Sequence, residues 1–303
     1  MLRQTFLYLS HQKKLRGWFE SSRHAHKLTS RFIAGENLDD VLRVCRDVHQ
    51  ERFLATVDHL GENVTSNAEA NSSRLCLEEA LDALAAAGLP ATISIKLTQL
   101  GLDLGYDVCL RNLDVLMAKA RDNGSRVEID MEASPYVDRT LDLVEHFQAQ
   151  YGCLRSVLQA YLYRTEQDAR RMNRIKAPIR LCKGAYNEPA AIAYPAKAQV
   201  DESYLKLARL LLDEGTYPAM ATHDPKMIEG VMEHAAKTGR RSDEFEFQML
   251  YGIRRDLQKM LVEQGYRVRL YVPYGDAWFP YFMRRLAERP ANALFIARNL
   301  LRA

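Results

Sequence analysis

The chain lacks most of the short patterns that announce a particular chemistry. No GxGxxG or GxxxxGK[ST] run occurs, so neither a dinucleotide fingerprint nor a P-loop is present. There is no HExxH and no His/Cys cluster at ligand spacing, which leaves metal-assisted hydrolysis unsupported. A GxSxG elbow is also missing, and a Ser-triad hydrolase with it. The five cysteines, Cys45, Cys76, Cys109, Cys153 and Cys182, are scattered, odd in number and never spaced as CxxC. They read as reduced thiols of a cytosolic protein, with no disulfide framework and no metal site. No apolar run reaches the roughly 18 residues a membrane span needs. The first residues, MLRQTFLYLSHQKKLRGWF, put a short apolar stretch before a basic one, the wrong order for a signal peptide, and no small-residue cleavage site follows. Charge is nearly balanced, Lys+Arg 42 against Asp+Glu 39, which gives no footprint of a nucleic-acid binder.

What is present is ordinary in amount and regular in order. A chain of 303 residues, 47% hydrophobic and 27% charged, can bury a large core. Residues 12–34 read as a basic helical segment, and 38–49 have helical spacing, so 1–50 is expected to form an N-terminal helical segment ahead of a domain over 51–303. From residue 53 onward, strands are expected at 53–58, 92–97, 126–131, 156–161, 179–183, 218–222, 245–248 and 267–272. Helices are expected between them at 71–87, 111–123, 137–151, 166–176, 200–214, 225–237 and 252–264, with a last one from about 277. Glycine or proline marks most helix-to-strand returns. Regular βα alternation requires parallel pairing and right-handed crossovers. Eight such units over roughly 250 residues predict a (β/α)8 barrel of the TIM type. A doubly wound sheet is the competitor, and the missing Gly-rich turn argues against it.

In such a barrel the chemistry sits at the C-terminal ends of the strands. Every predicted strand offers a polar residue there: Asp58 and Glu62; Lys96; Asp130 and Glu132; Gln159 and Tyr161; Arg180 and Lys183; Thr222, His223 and Asp224; Glu246 and Gln248; Tyr271. Taken singly, each has a plain structural reading, such as a fold salt bridge or, for Asp224 before Pro225, a helix N-cap. Together they favour one polar site. On the last helix Tyr281, Arg284, Arg285 and Glu288 fall on one face, with Phe279, Phe282, Met283 and Leu286 opposite. Adjacent guanidinium forks suit a carboxylate or phosphate, although a solvated face is the plain reading of Arg-Arg on a helix alone. Gly184-Ala185 removes bulk just past a strand end, where a flat ligand could lie on backbone N–H groups.

The motifs SIKLTQLG, EIDMEASPYVD, VLQAY, RLCKGAYNEP, ATHD, EFQMLYGIR, YVPYG and YFMRRLAER occur in this order from about residue 53 to 300. In content and spacing they resemble the proline dehydrogenase family, RLxKGAYxEP and YxxRRLxE being the most specific. The resemblance implies a (β/α)8 flavoenzyme that oxidises L-proline to Δ1-pyrroline-5-carboxylate by hydride transfer to N5 of FAD. Electrons then pass to a membrane quinone, and a separate pyrroline-5-carboxylate dehydrogenase is expected to take the product. It places the substrate-carboxylate clamp on Arg284, Arg285 and Lys96, and the ring-packing tyrosines on Tyr271 and Tyr281, with Tyr186 nearby in the substrate site. It puts the supporting aspartate on Asp130 and the arginine beside flavin N5 on Arg180. FAD contacts fall on Met131, Gln159, Arg180, Leu181, Lys183, Gly184, Ala185, Thr222, His223, Gln248 and Glu288, and a gate glutamate on Glu62. Cys182 stands where valine is frequent, and Asp224 where asparagine also occurs. Tyr271 matches members that prefer proline to hydroxyproline. The chain shows neither a DNA-binding arm nor an aldehyde-dehydrogenase half, so a monofunctional form is expected.

Two other readings stay open on the residues alone: a Schiff-base lyase or aldolase barrel using Lys96, and a barrel-derived anion-binding protein. A quinone acceptor implies a cytoplasmic protein that meets the inner face of the cytoplasmic membrane. The tail ANALFIARNLLRA fits either a core-packing last helix or an interfacial one.

Overall fold

The computed structural model describes residues 29–61 and 63–287, with the backbone alone at 284–287. Eight parallel strands close into a barrel in chain order: β1 Leu54–His59, β2 Ala91–Ile95, β3 Val127–Ile129, β4 Leu154–Gln159, β5 Ile179–Cys182, β6 Ala219–Ala221, β7 Glu246–Leu250 and β8 Arg267–Tyr274. Closure comes from β1 lying between β2 and β8, with Thr56 opposite both Thr92 and Tyr271. Helix α1 (Leu38–Gln50) precedes the barrel. The helices that follow the strands are α2 Asn67–Ala86, α3 Tyr106–Asp122, α4 Val137–Tyr151, α5 Thr165–Arg174, α6 Lys197–Glu214, α7 Pro225–Thr238, α8 Arg255–Glu263 and α9 Trp278–Ala287. This is the TIM-like barrel that the alternation of elements predicts. Residues 1–28 of the expected N-terminal segment lie outside the described residues.

Several helices begin earlier than apolar periodicity alone indicates, because their first turns are polar. Helix α2 starts at Asn67, not 71. Ser66 caps it by accepting from Glu69 N, and Glu69 reaches back to Thr65 N. Asp224 does cap α7 as expected, accepting from Lys226 N with Pro225 at the first helical position.

Strand residues alternate between two environments. Ile93, Ile95, Val127, Ile129, Phe247, Met249, Val268 and Leu270 join the large apolar core that includes the surrounding helices. Their neighbours Thr92, Ser94, Glu128, Asp130, Arg155, Arg180, Glu246, Gln248, Arg269 and Tyr271 hydrogen-bond to one another inside the barrel. A second apolar cluster joins Phe32 and Ile33 to Leu60, Ile253, Trp278, Phe279, Tyr281, Phe282 and Met283. Leu60 follows β1 and Ile253 follows β7, so α9 is packed onto the C-terminal end of the barrel. The preceding segment straps this corner: Ala34 N donates to Pro273 O at 2.9 Å and Gly275 N to Gly35 O at 3.0 Å. Gly252, at φ 74°, passes so close to the Arg31 carbonyl that no side chain fits.

Candidate active site at the C-terminal mouth of the barrel

Asp130, one residue past β3, is the hub of the mouth. Its Oδ1 accepts from Ser94 Oγ at 2.8 Å and from Arg180 Nη1 at 2.5 Å, and its Oδ2 accepts from Tyr271 Oη at 2.9 Å. Arg180 also donates through Nη2 to Glu128 Oε2 at 2.5 Å, and its guanidinium lies 5.5 Å from the Tyr271 ring centroid. Three strands are thereby locked to one carboxylate. Burial would weaken the Arg180 cation, but Glu128 and Asp130 outweigh it and hold its pKa raised, so its positive charge is permanent. The Tyr271 phenol is pushed far up by burial and by the Asp130 and Asp58 charges, so it stays a donor.

Lys96 lies just past β2 with Nζ 3.9 Å from Asp58 Oδ1. Asp58 is 1% exposed. Burial raises its pKa, Lys96 opposes that rise, and Asp130 adds to it. Gln159 donates to the Glu132 carbonyl at 3.0 Å, and Glu132 in turn accepts from Thr98 N and Oγ1. Lys183 donates to Asp201 at 2.5 Å and to Asp224 at 2.9 Å. His223 Nε2 accepts from Leu250 N at 2.9 Å, and Thr222 Oγ1 accepts from Asp224 N at 3.1 Å. Gln248 Nε2 donates to Glu246 and Glu128 at 2.7 and 3.2 Å. Met131 and Leu181 are buried in the large apolar core.

The loop after β5 carries Gly184, Ala185 and Tyr186 over the rim, and Tyr186 is 37% exposed. Glu188 ties this loop to the turn after β3, accepting from Ser134 N and Ser134 Oγ, both at 2.7 Å. Gly184 has φ 115°, and a Cβ there would stand 2.3 Å from the Tyr161 ring. The chain can turn over that ring only as glycine.

A sequence model of the family described as "Proline dehydrogenase" matches residues 41–298. Proline dehydrogenase 1 of Bacillus subtilis (strain 168) is 40% identical over 302 residues, covering 100% of both chains. The chain belongs to the proline dehydrogenase family. Proline dehydrogenase of Deinococcus radiodurans is also 40% identical, over 91% of this chain and 90% of its own. Among solved structures, proline utilization A (PutA) from Bdellovibrio bacteriovorus, inactivated by N-propargylglycine, superposes with a TM-score of 0.84 at 25% identity. The superposition covers 94% of this chain and 36% of that one. Membership of a dehydrogenase family makes the barrel an oxidoreductase scaffold, and the mouth is where its strand ends converge.

Of the residues expected in the site, Lys96, Asp130, Gln159, Arg180, Lys183, Thr222, His223, Gln248 and Tyr271 come together at one end of the barrel. Tyr281 is 7% exposed and sits in the apolar cluster under α9, not on an open polar face. Glu62 and Glu288 lie outside the described residues, as do the side chains of Arg284 and Arg285, whose backbone is in α9. The strand-end reading missed Glu128, Arg155 and Arg269, which lie one layer deeper, and Ser94, Asp201 and Glu188, which position the expected groups. The deeper charges carry a visible signal. A strand buried on both faces normally reads as continuous apolar residues. Here Arg126, Glu128 and Asp130 alternate, as do Arg267, Arg269 and Tyr271.

Among the described residues no group of His, Cys, Asp and Glu could hold a metal ion, and no helix is long and apolar enough to cross a membrane.

Proposed function

We propose that the chain oxidises L-proline to Δ1-pyrroline-5-carboxylate using bound FAD, and that a quinone at the membrane surface takes the electrons. The reading rests on family membership together with one observation, the Asp130–Arg180–Tyr271 constellation closed across the mouth. Two polar atoms bear on the fit of a flavin. Arg180 Nε and Gln248 Oε1 are buried and make no hydrogen bond among the described residues. A donor and an acceptor held in reserve on two side chains that both reach Glu128 suit the edge of a heterocycle that carries both kinds of group. Gln159, Lys183, Thr222, His223, Gly184 and Ala185 surround the same opening and would hold the rest of the cofactor, which would supply the two-electron acceptor.

The chain's own groups then have defined tasks. Arg180 sets a fixed positive charge beside the reacting region, where negative charge developing on a bound group is stabilised. Lys96, with Arg284 and Arg285, would hold the substrate carboxylate and so orient the ring. Tyr271 and Tyr281 would wall it and exclude water. Asp130 already accepts three hydrogen bonds, so both its oxygens are engaged and it serves as a positioning group. Proline is therefore expected to shed its nitrogen proton to solvent. Asp130→Asn is expected to lower kcat while leaving the shape of the pH–rate profile unchanged; loss of one limb would make Asp130 the base instead.

Arg285→Met is expected to raise KM for proline at least tenfold, since a charge-assisted bidentate contact is worth that much, with FAD content nearly unchanged. Loss of flavin from this variant would overturn the roles assigned along α9. In this reading the Tyr271 side chain would wall the space a ring hydroxyl needs. Proline is thus expected to exceed hydroxyproline in kcat/KM, and equal values would refute the assignment. N-propargylglycine, named as inactivating the PutA of the solved structure, is expected to inactivate this chain and to be slowed by excess proline. The direct test of the proposal is proline-dependent reduction of a soluble quinone analogue by the purified protein.

A further inference from the structure

The opposite end of the barrel carries a second concentration of charge. A cavity of about 850 Å³ opens where the strands begin, between the ends of β1, β2, β3 and β8. Arg52, Arg126, Arg267 and Arg269 line it, together with Tyr217 and Ser125. Arg155, fully buried behind them, lies 5.6 Å from the Tyr217 ring centroid, and Arg267 lies at the same distance. Five guanidinium groups thus converge on this end.

Their counter-charges are few and already engaged. Glu246 is shared by Arg155 and Arg269, at 2.5 and 2.8 Å. Glu128 is shared by Arg180, Arg155 and, at 3.8 Å, Arg269. Arg267 donates to the Tyr217 hydroxyl and feels Asp243, which is itself paired with Arg241. Arg126 is half-buried, and its guanidinium makes no hydrogen bond or ion pair among the described residues. Burial and then the charge of Arg155 weaken its cation, Glu128 offsets part of this, and Arg269 adds to it. A guanidinium held partly out of water against two others is costly unless an anion answers it.

We propose that this N-terminal end of the barrel binds a phosphate-class anion, with Arg126 as its central contact and Arg52 and Arg267 at its rim. A tetrahedral dianion offers several acceptors at once, which matches donors that stand at or just before the starts of separate strands. Tyr217, held between Arg155 and Arg267, fixes the floor. The site is at the other end of the barrel from the proposed catalytic mouth and does not depend on its chemistry.

The test is thermal unfolding of the full-length chain over a titration of inorganic phosphate, with sodium chloride added to constant ionic strength. The wild type is expected to gain a saturable rise in melting temperature. Arg126→Gln is expected to keep only the small, non-saturating rise that excluded salts give any protein, and to melt no lower than wild type when phosphate is absent. Arg52→Asn, at an exposed left-handed position that asparagine tolerates, is expected to weaken apparent phosphate affinity several-fold and serves if Arg126→Gln fails to fold. Reduction by L-proline should be unchanged in both variants. A phosphate response equal in wild type and variants, or no wild-type response beyond that to chloride, would overturn the proposal.

Discussion

Arg155→Met is expected to destabilise the barrel by about 3–5 kcal/mol, the cost of stripping one partner from a buried ion pair, and to lower the unfolding midpoint by on the order of 10 °C. Arg155 is fully buried, and its Nη1 donates to Glu246 Oε1 at 2.5 Å. It also reaches Glu128 at 3.4 Å. Without it, two carboxylates in the centre of the barrel would share only Arg269 and Arg180. Arg155→Met with Glu246→Gln should recover much of the loss, because neither charge is then left alone. A single variant within about 1 kcal/mol of wild type would show that the interior network contributes little.

The same network sets the acid limit of stability. Burial alone would raise the carboxyls of Glu128 and Glu246. The arginines outweigh burial and hold both below the usual range. A carboxyl depressed in the folded state contributes stability that is complete above its unfolded pKa of about 4.3 and is lost as pH falls toward the folded value. Wild type should therefore resist acid until well below pH 4. Arg155→Met removes part of the depression, so its acid transition should move to higher pH.

Gly184→Ala is expected to be the most damaging single-methyl change at the mouth. Its φ of 115° is closed to alanine, and the new Cβ would stand 2.3 Å from the Tyr161 ring. Backbone strain of this kind costs about 1–3 kcal/mol. The Tyr161 ring is buried and its backbone is tied on both sides, Tyr161 N donating to Lys183 O and Tyr194 N to Tyr161 O. Relief therefore has to come from displacing Gly184-Ala185-Tyr186. The expected readout is protein that folds but retains flavin at least tenfold less tightly, with a larger effect on FAD affinity than on overall melting temperature. Full flavin content in Gly184→Ala would remove this loop from the cofactor site.

The barrel was legible because its signal is repetitive. Helix-to-strand returns at Gly124, Gly152, Gly239 and Gly265 and apolar strands such as Thr92–Ile95 recur in one order, so small boundary errors do not alter the topology. The polar mouth was legible at strand ends for a similar reason, since topology alone brings Asp130, Arg180 and Tyr271 together. The interior charges were harder to read. Arg155 and Arg269 look like solvent-facing residues until closure of the sheet leaves them no solvent. Tyr281 is buried for a different reason. Helical spacing puts it beside Arg284 and Arg285, but the packing of Leu60 and Ile253 against α9 widens the buried stripe to include it. Glu188 could not be assigned, because its link to Ser134 joins residues 54 apart through loops with no periodic pattern.

The most direct test of the whole account is the visible absorption spectrum of the purified chain, recorded anaerobically before and after L-proline is added. The account predicts a yellow protein with flavin absorbance that bleaches with proline and recovers with a quinone analogue. A colourless protein, trapped through Lys96 by borohydride in the presence of substrate, would contradict it and make the barrel a Schiff-base enzyme.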